Sequence, residues 1–222
     1  MTYNPRKHRR RSIRLKGYDY TQPGAYFVTI CTHRREMLFG RVVDGVMQLN
    51  EFGRIVEWTW YDLPNHVANI TLDAFVIMPN HVHGIIIINP PATVGAGSEP
   101  VPMVGAGSPM VGAGSEPAPT IDAAAGPKPH GLPEIVRQFK TFSARRINAR
   151  RGVRGVPVWQ RNYYEHIIRT ERALDAIRRY IAANPLRWHL DRYNPTATGP
   201  DPLARDLWRL LKTAPPPREK QP

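Results

Sequence analysis

Ile70 to Met78 and Val82 to Ile88 are two apolar, β-branched stretches that meet at Pro79-Asn80. Runs of this composition around a turn signal pair as antiparallel strands, which commits the chain to a sheet with helices packed on it. A further strand is expected over Ala25-Tyr26-Phe27-Val28-Thr29-Ile30-Cys31, opened by Pro23-Gly24. Val42 to Leu49, broken at Asp44-Gly45, reads as a small hairpin. Asn50 stands at an N-cap position, and Phe52, Ile55, Val56, Thr59 and Leu63 keep helical spacing up to Pro64.

From Asn89 to His130 the composition changes. Val-Gly-Ala-Gly-Ser occurs at Val94, Val104 and Val111 among prolines, and such a segment buries too little apolar surface to offset its chain entropy. It is read as a disordered insertion at 90–130. Beyond it Leu132, Ile135, Val136, Phe139, Phe142 and Ile147 form an apolar helical stripe, with Arg137, Lys140, Arg145 and Arg146 as a basic edge. Val158 to Ile168 is expected to be extended, and Thr170 to cap a last helix that Pro185 terminates. The element order predicts an α+β fold, an antiparallel sheet with helices on one face. It divides the chain into a basic leader (1–15), one domain (16–190) carrying the insertion, and a tail (191–222) in which Trp208, Leu210 and Leu211 suggest a short helix without an assignable role.

The 222 residues carry 31 Lys and Arg against 18 Asp and Glu, a formal net charge of +13 that attracts polyanions. The basic residues cluster, above all in Arg6-Lys7-His8-Arg9-Arg10-Arg11. Nucleic acid, an anionic membrane and plain solvation all fit such runs. Cys31 is the only cysteine, which excludes an intramolecular disulfide and a multi-cysteine zinc site and suits a reducing, cytoplasmic setting. No apolar stretch approaches the roughly 20 residues that span a bilayer, and no apolar segment follows the basic leader, so neither a membrane nor secretion is expected.

Two features carry chemistry. His81 and His83 are two apart in a strand, so they project from the same face and offer half a metal site; two histidines bonded to backbone at a strand edge are the alternative. Tyr180 and Asn184 are four apart in the last helix and share a face. Asn184 offers a carbonyl oxygen suited to a hard cation, although a core tyrosine and a helix-ending asparagine also account for the pair.

Met78-Pro79-Asn80-His81-Val82-His83 in an apolar strand, Trp159-Gln160-Arg161-Asn162-Tyr163-Tyr164-Glu165-His166-Ile167-Ile168-Arg169, and Tyr180-Ile181-Ala182-Ala183-Asn184-Pro185 occur in that order. Together they resemble the single-tyrosine HUH transposases, most closely the branch associated with repetitive extragenic palindromes. The resemblance spans about Arg11 to Trp188 apart from the insertion. It implies a ferredoxin-like sheet, magnesium or manganese held by His81, His83 and Asn184, and Tyr180 as the nucleophile. It further implies single-stranded DNA as the substrate, with hairpin or palindromic repeats as partners, and transesterification through a 5′-phosphotyrosine; the sequence leaves a monomer and a homodimer both open. Phosphate contacts are expected from Arg9, Arg10, Arg11, Arg137, Lys140, Arg145 and Arg146. Tyr163 and Tyr164 offer alternative hydroxyls, but no histidine pair or amide is placed relative to them as Asn184 is to Tyr180. A DNA- or RNA-binding module or repressor that has lost the nuclease is the main rival reading. A zinc hydrolase ranks last, because Asp73 is too far from the histidines in sequence for any metalloprotease spacing.

Overall fold

The computed structural model describes residues 15, 17–90 and 130–212. The leader, with Arg9, Arg10 and Arg11, and the expected insertion between 91 and 129 lie outside the described residues, as does the chain after 212.

Strands β1 (Gly24–Cys31), β4 (Ile70–Met78), β5 (His81–Ile88) and β6 (Tyr164–Ile168) form a four-stranded sheet in the order β4-β5-β1-β6, antiparallel throughout. The short strands β2 (Gly40–Val43) and β3 (Val46–Leu49) make a separate two-stranded ribbon. Its turn is Asp44-Gly45, where both residues take positive φ (50° and 74°), the combination that matches the twist of a two-residue hairpin.

Helix α1 (Glu51–Tyr61) links β1 to β4, and α3 (Leu132–Arg150) links β5 to β6; in each case the connected strands enclose a third. This pair of split crossovers in one antiparallel sheet is the ferredoxin-like arrangement. Helix α1 starts where Asn50 predicts, since the Asn50 side chain accepts a hydrogen bond from the Gly53 amide. A single short turn, α2 (Leu63–His66), extends it past Pro64. Helix α4 (Glu171–Ala183) is capped by Thr170 in the same manner, and a 3-10 segment, Pro185–Leu190, leads to α5 (Pro202–Lys212).

The α+β class and the antiparallel sheet stand as expected, but the helices do not keep to one face. Tyr26, Val28, Ile30, Val82, Ile86 and Ile88 point into a core shared with α1 and α3. Phe27 and Ile85, on the opposite pleat, pack against Ile177 and Ile181 of α4 and Leu207 and Leu211 of α5. The amphipathic pattern of a helix states that one side is buried; it does not state which face of the sheet covers it. The tail thus gains a structural part, since Trp208 lies beside Phe27 and Tyr164.

Gly84 fixes how closely α1 approaches β5. A Cβ built there would lie 2.5 Å from the Trp60 ring, which is fully buried and stacked on Phe75 with centroids 4.3 Å apart. The ring has no room to withdraw. Gly84→Ala should therefore destabilise the fold by about 1–3 kcal/mol through overpacking, lowering the melting temperature by roughly 2–4 °C per kcal/mol for a chain of this size. An unchanged thermal transition would show that this contact is not tight.

Candidate active site

The β1–β5 register sets Thr29 opposite His83 and Cys31 opposite His81. Because Val82 occupies the α1/α3 core, its neighbours must project toward α4. Both imidazoles are essentially inaccessible, at 0% and 1% exposure, and their Nε2 atoms lie 3.1 Å apart.

Asn80 decides the tautomer of His81. Its amide nitrogen donates to the carbonyls of Arg35 and Tyr193, which turns Oδ1 toward His81 Nδ1 at 2.9 Å. Nδ1 must then carry the proton, which leaves the lone pair of His81 on Nε2. His83 Nδ1 lies 2.8 Å from Thr29 Oγ1. A hydroxyl both donates and accepts, so Thr29 supports either tautomer of His83. In one, His83 Nε2–H donates to His81; in the other, both Nε2 lone pairs face a common point.

Two further groups close around the pair. Asp191 Oδ2 lies 3.7 Å from His81 Nε2, and His81, His83 and Asp191 each present a ligand atom within 4.8 Å of the others, a buried cluster that could hold a metal ion. The Tyr180 hydroxyl lies 3.4 Å from His83 Nε2. Asn184 follows one turn later at the C-terminal end of α4, with its Nδ2 3.5 Å from the Tyr180 carbonyl and its Oδ1 buried without a hydrogen-bond partner among the described residues. Two imidazoles and a carboxylate, with an orphaned carbonyl oxygen one helical turn after Tyr180, are donors whose chemistry fits a divalent cation.

The electrostatics are those of a dry site. Burial pushes both imidazoles down, His83 to about 3 and His81 well below its usual range, the latter also through His83 and Arg35. Burial lifts Asp191 to about 6 despite the Tyr193 amide donating to it. The Tyr180 phenol is raised by burial and then by Asp191, while the Asn184 side chain acts in the other direction.

Asp191 escaped the sequence reading because it belongs to an aperiodic segment after Pro185, with no spacing that ties it to the histidines. Asn80 was visible only as a turn residue. Of the alternative tyrosines, Tyr164 packs on Phe27 and Trp208, and Tyr163 joins the α1/α3 core. Tyr193 does lie over His81, with ring centroids 4.7 Å apart.

The basic edge of α3 is less uniform than the sequence suggests. Lys140 is half-buried and donates to the carbonyls of Gln160 and Arg161, so it fastens α3 to the segment before β6. Arg146 lies 4.1 Å above the Trp58 ring and pairs with Asp62 at 3.4 Å. Arg137 pairs with Glu134 on the surface, and Arg145 is exposed. No described helix is long and apolar enough to cross a membrane.

No family model matches the chain. An uncharacterized protein of Haemophilus influenzae is 39% identical over 190 residues, which cover 86% of this chain and 96% of that protein. The chain belongs to the family of this Haemophilus protein. The solved structures it is similar to include a REP-associated tyrosine transposase bound to a REP hairpin (15% identity, TM-score 0.47, covering 79% of this chain and 74% of that one) and a Deinococcus radiodurans R1 protein assigned as a transposase (18%, 0.38, 76% and 95%). The ferredoxin-like assignment rests on the strand order above and not on these distant likenesses.

The buried imidazoles determine the acid response. His81, His83 and His166 stay neutral in the folded chain far below pH 6.5, His166 being pushed to about 4 by burial and then by Arg169, whereas in the unfolded chain they titrate near 6.5. Between pH 7 and 5 the unfolded state therefore takes up protons that the folded state refuses, and stability falls. Asp191 works in the opposite direction, since its folded value of about 6 exceeds the ordinary value near 4. With three groups against one, the melting temperature should drop from pH 7 to 5, and Asp191→Asn should steepen the drop. A melting temperature that rises over this interval would mean that the imidazoles are not held neutral.

Proposed function

We propose that the chain cuts and rejoins single-stranded DNA by transesterification, with Tyr180 as the nucleophile and a divalent ion, magnesium or manganese, held by His81, His83 and Asn184 together with Asp191. The observation that carries this reading is the Tyr180 hydroxyl 3.4 Å from His83 Nε2, inside a cluster whose remaining groups are metal-ligating. The mixed nitrogen and oxygen donors suit manganese better than magnesium, which prefers oxygen alone. The motif resemblance to single-tyrosine HUH transposases supports hairpin or palindromic DNA as the substrate class, and the REP-associated tyrosine transposase named above is bound to a REP hairpin.

In the proposed reaction the Tyr180 oxygen attacks phosphorus, the bond to the 3′-oxygen breaks, and the phenolic proton ends on the released 3′-hydroxyl. One phosphodiester replaces another, so the bond energy is kept in a 5′-phosphotyrosine and a second 3′-hydroxyl can reverse the step. Burial and Asp191 make the phenol a weaker acid than usual, the wrong direction for a nucleophile. A bound divalent ion would offset this by supplying positive charge to the phenol and the scissile phosphate. Asn80 and Thr29 act by orienting the histidines. Because Tyr180, His81, His83, Asn184 and Asp191 are all buried, DNA reaches them only after Tyr193, whose ring lies over His81, has moved aside while Asp191 stays in place.

Incubating the protein with labelled single-stranded hairpin DNA and manganese should give a covalent adduct on denaturing gels. Tyr180→Phe should lose the adduct and keep DNA binding, and His81→Ala, His83→Ala or a chelator should abolish cleavage with the fold retained. An adduct that maps to Tyr163, Tyr164 or Tyr193 would overturn the assignment. The absence of any adduct alongside intact binding would favour a binding module or repressor.

Thr29→Val keeps the side-chain shape but removes the partner of His83 Nδ1. Loss of such an orienting hydrogen bond typically weakens metal affinity by about 10–100-fold. Manganese titration by calorimetry should show this, and an unchanged affinity would remove Thr29 from the site.

A further inference from the structure

A cleft of about 1300 Å³ opens between α3 and the loop 152–163, on the face of the sheet away from the histidines. Five cationic side chains line it, Arg137, Lys140, Arg145, Arg154 and Arg161, against one carboxylate, Glu134, which Arg137 already pairs. Arg137, Arg145, Arg154 and Arg161 are exposed. An ion pair between exposed groups is worth little, so Arg137 remains available to a stronger anion. Asn148 lines the same cleft at 8% exposure, and its amide nitrogen donates to the Val156 carbonyl, which ties the loop to α3.

We propose that this cleft holds the phosphodiester backbone of a nucleic-acid strand. The inference rests on the function proposed above for its choice of ligand, and on the cleft for its location. Cations set into the walls of a concavity reach a strand that enters it, whereas a lipid surface is too broad to follow, so a polynucleotide fits better than an anionic membrane. Four of the five cations are guanidinium groups, whose planar forks suit phosphate oxygens. Lys140 also keeps the cleft in shape, because its bonds to Gln160 and Arg161 fix the loop against α3.

The cleft is tied to the candidate active site through the backbone. Trp159, on its wall, makes a bridge to Thr32, and the Gln160 amide donates to the carbonyl of Cys31, the register partner of His81. The loop that borders the cleft therefore ends beside the strand that carries the site. A polynucleotide gripped on the α3 face reaches Tyr180 by passing the end of β1, so that binding and cutting use opposite faces of one sheet.

The test uses the full chain and a labelled single-stranded oligodeoxynucleotide, with affinity read by fluorescence anisotropy over a range of salt. Arg154→Gln with Arg161→Gln should weaken binding to matched and scrambled sequences alike and flatten the log-affinity against log-salt slope by about 0.7 for each lost contact. Arg205→Gln with Arg209→Gln removes the same charge from α5 and should leave both quantities unchanged. Unchanged affinity and slope in the cleft variant, or an equal loss in the α5 variant, would overturn the proposal. So would a cleft variant that loses only its binding to vesicles containing phosphatidylserine. Failure of the cutting reaction is read separately. Salt-sensitive binding through the cleft without any Tyr180 adduct keeps the inference and discards the nuclease, whereas an adduct formed with undiminished affinity in the cleft variant does the reverse.

Discussion

Everything at the candidate site depends on the register between β1 and β5. Side chains alternate across a strand with a period of two, so the pairing that sets Thr29 against His83 also places Phe27 and Ile85 in one core and Val28 and Val82 in the other. A slip of one residue would turn both imidazoles into the apolar layer under α1 and α3, where nothing could accept their protons. The register is held by bulk on both sides: on one face Gly84 admits the Trp60 ring, and on the other Ile85 fills the space beneath α4. The polar cluster is thus positioned by apolar residues that take no part in its chemistry.

A second consequence of that alternation is that the sheet needs cover on both faces. The crossover helices α1 and α3 supply one layer. Helix α4 carries Tyr180 and Asn184 across the histidines, and α5 braces it from outside through Leu207 and Leu211. The Arg187–Asp201 pair joins the 3-10 segment to the start of α5, where Asp201 also accepts from the Leu203 amide. The segment that contains Asp191 is therefore anchored at both ends, which explains how a residue far from His81 in sequence comes to lie beside it.

How much of this could be read from the sequence follows from the range of the interactions. Periodicity is local, so the strand pair around Pro79-Asn80, the shared face of His81 and His83, and the turn relation of Tyr180 to Asn184 were all legible. The caps Asn50 and Thr170 were legible for the same reason. Contacts between distant segments leave no such trace. Nothing in Arg146 foretells that it lies on Trp58, nor in Lys140 that its ammonium donates to carbonyls of the loop before β6. The second helical layer was missed because amphipathicity reports that a face is covered without saying by what. Arg154 and Arg161 fell in segments without periodicity, and only the folded loop brings them to the wall that α3 shares.

The burial of the cluster bears on its chemistry as well as its stability. Excluding water from two imidazoles, a carboxylate, a phenol and an amide costs solvation that their mutual hydrogen bonds only partly restore, as the lowered histidines and the raised Asp191 record. A purely structural core would do better with apolar side chains of the same volume. For a transesterification the dry site has a use: a phosphotyrosine is open to hydrolysis wherever water has access, and a reaction meant to be reversed by a second hydroxyl needs water kept out between its two steps. The same closure conflicts with admitting a polymer. If the strand is gripped on the opposite face, as proposed above, that conflict is eased, because the affinity for DNA would then come from an open, cationic cleft and the buried site would have only to admit a single phosphate.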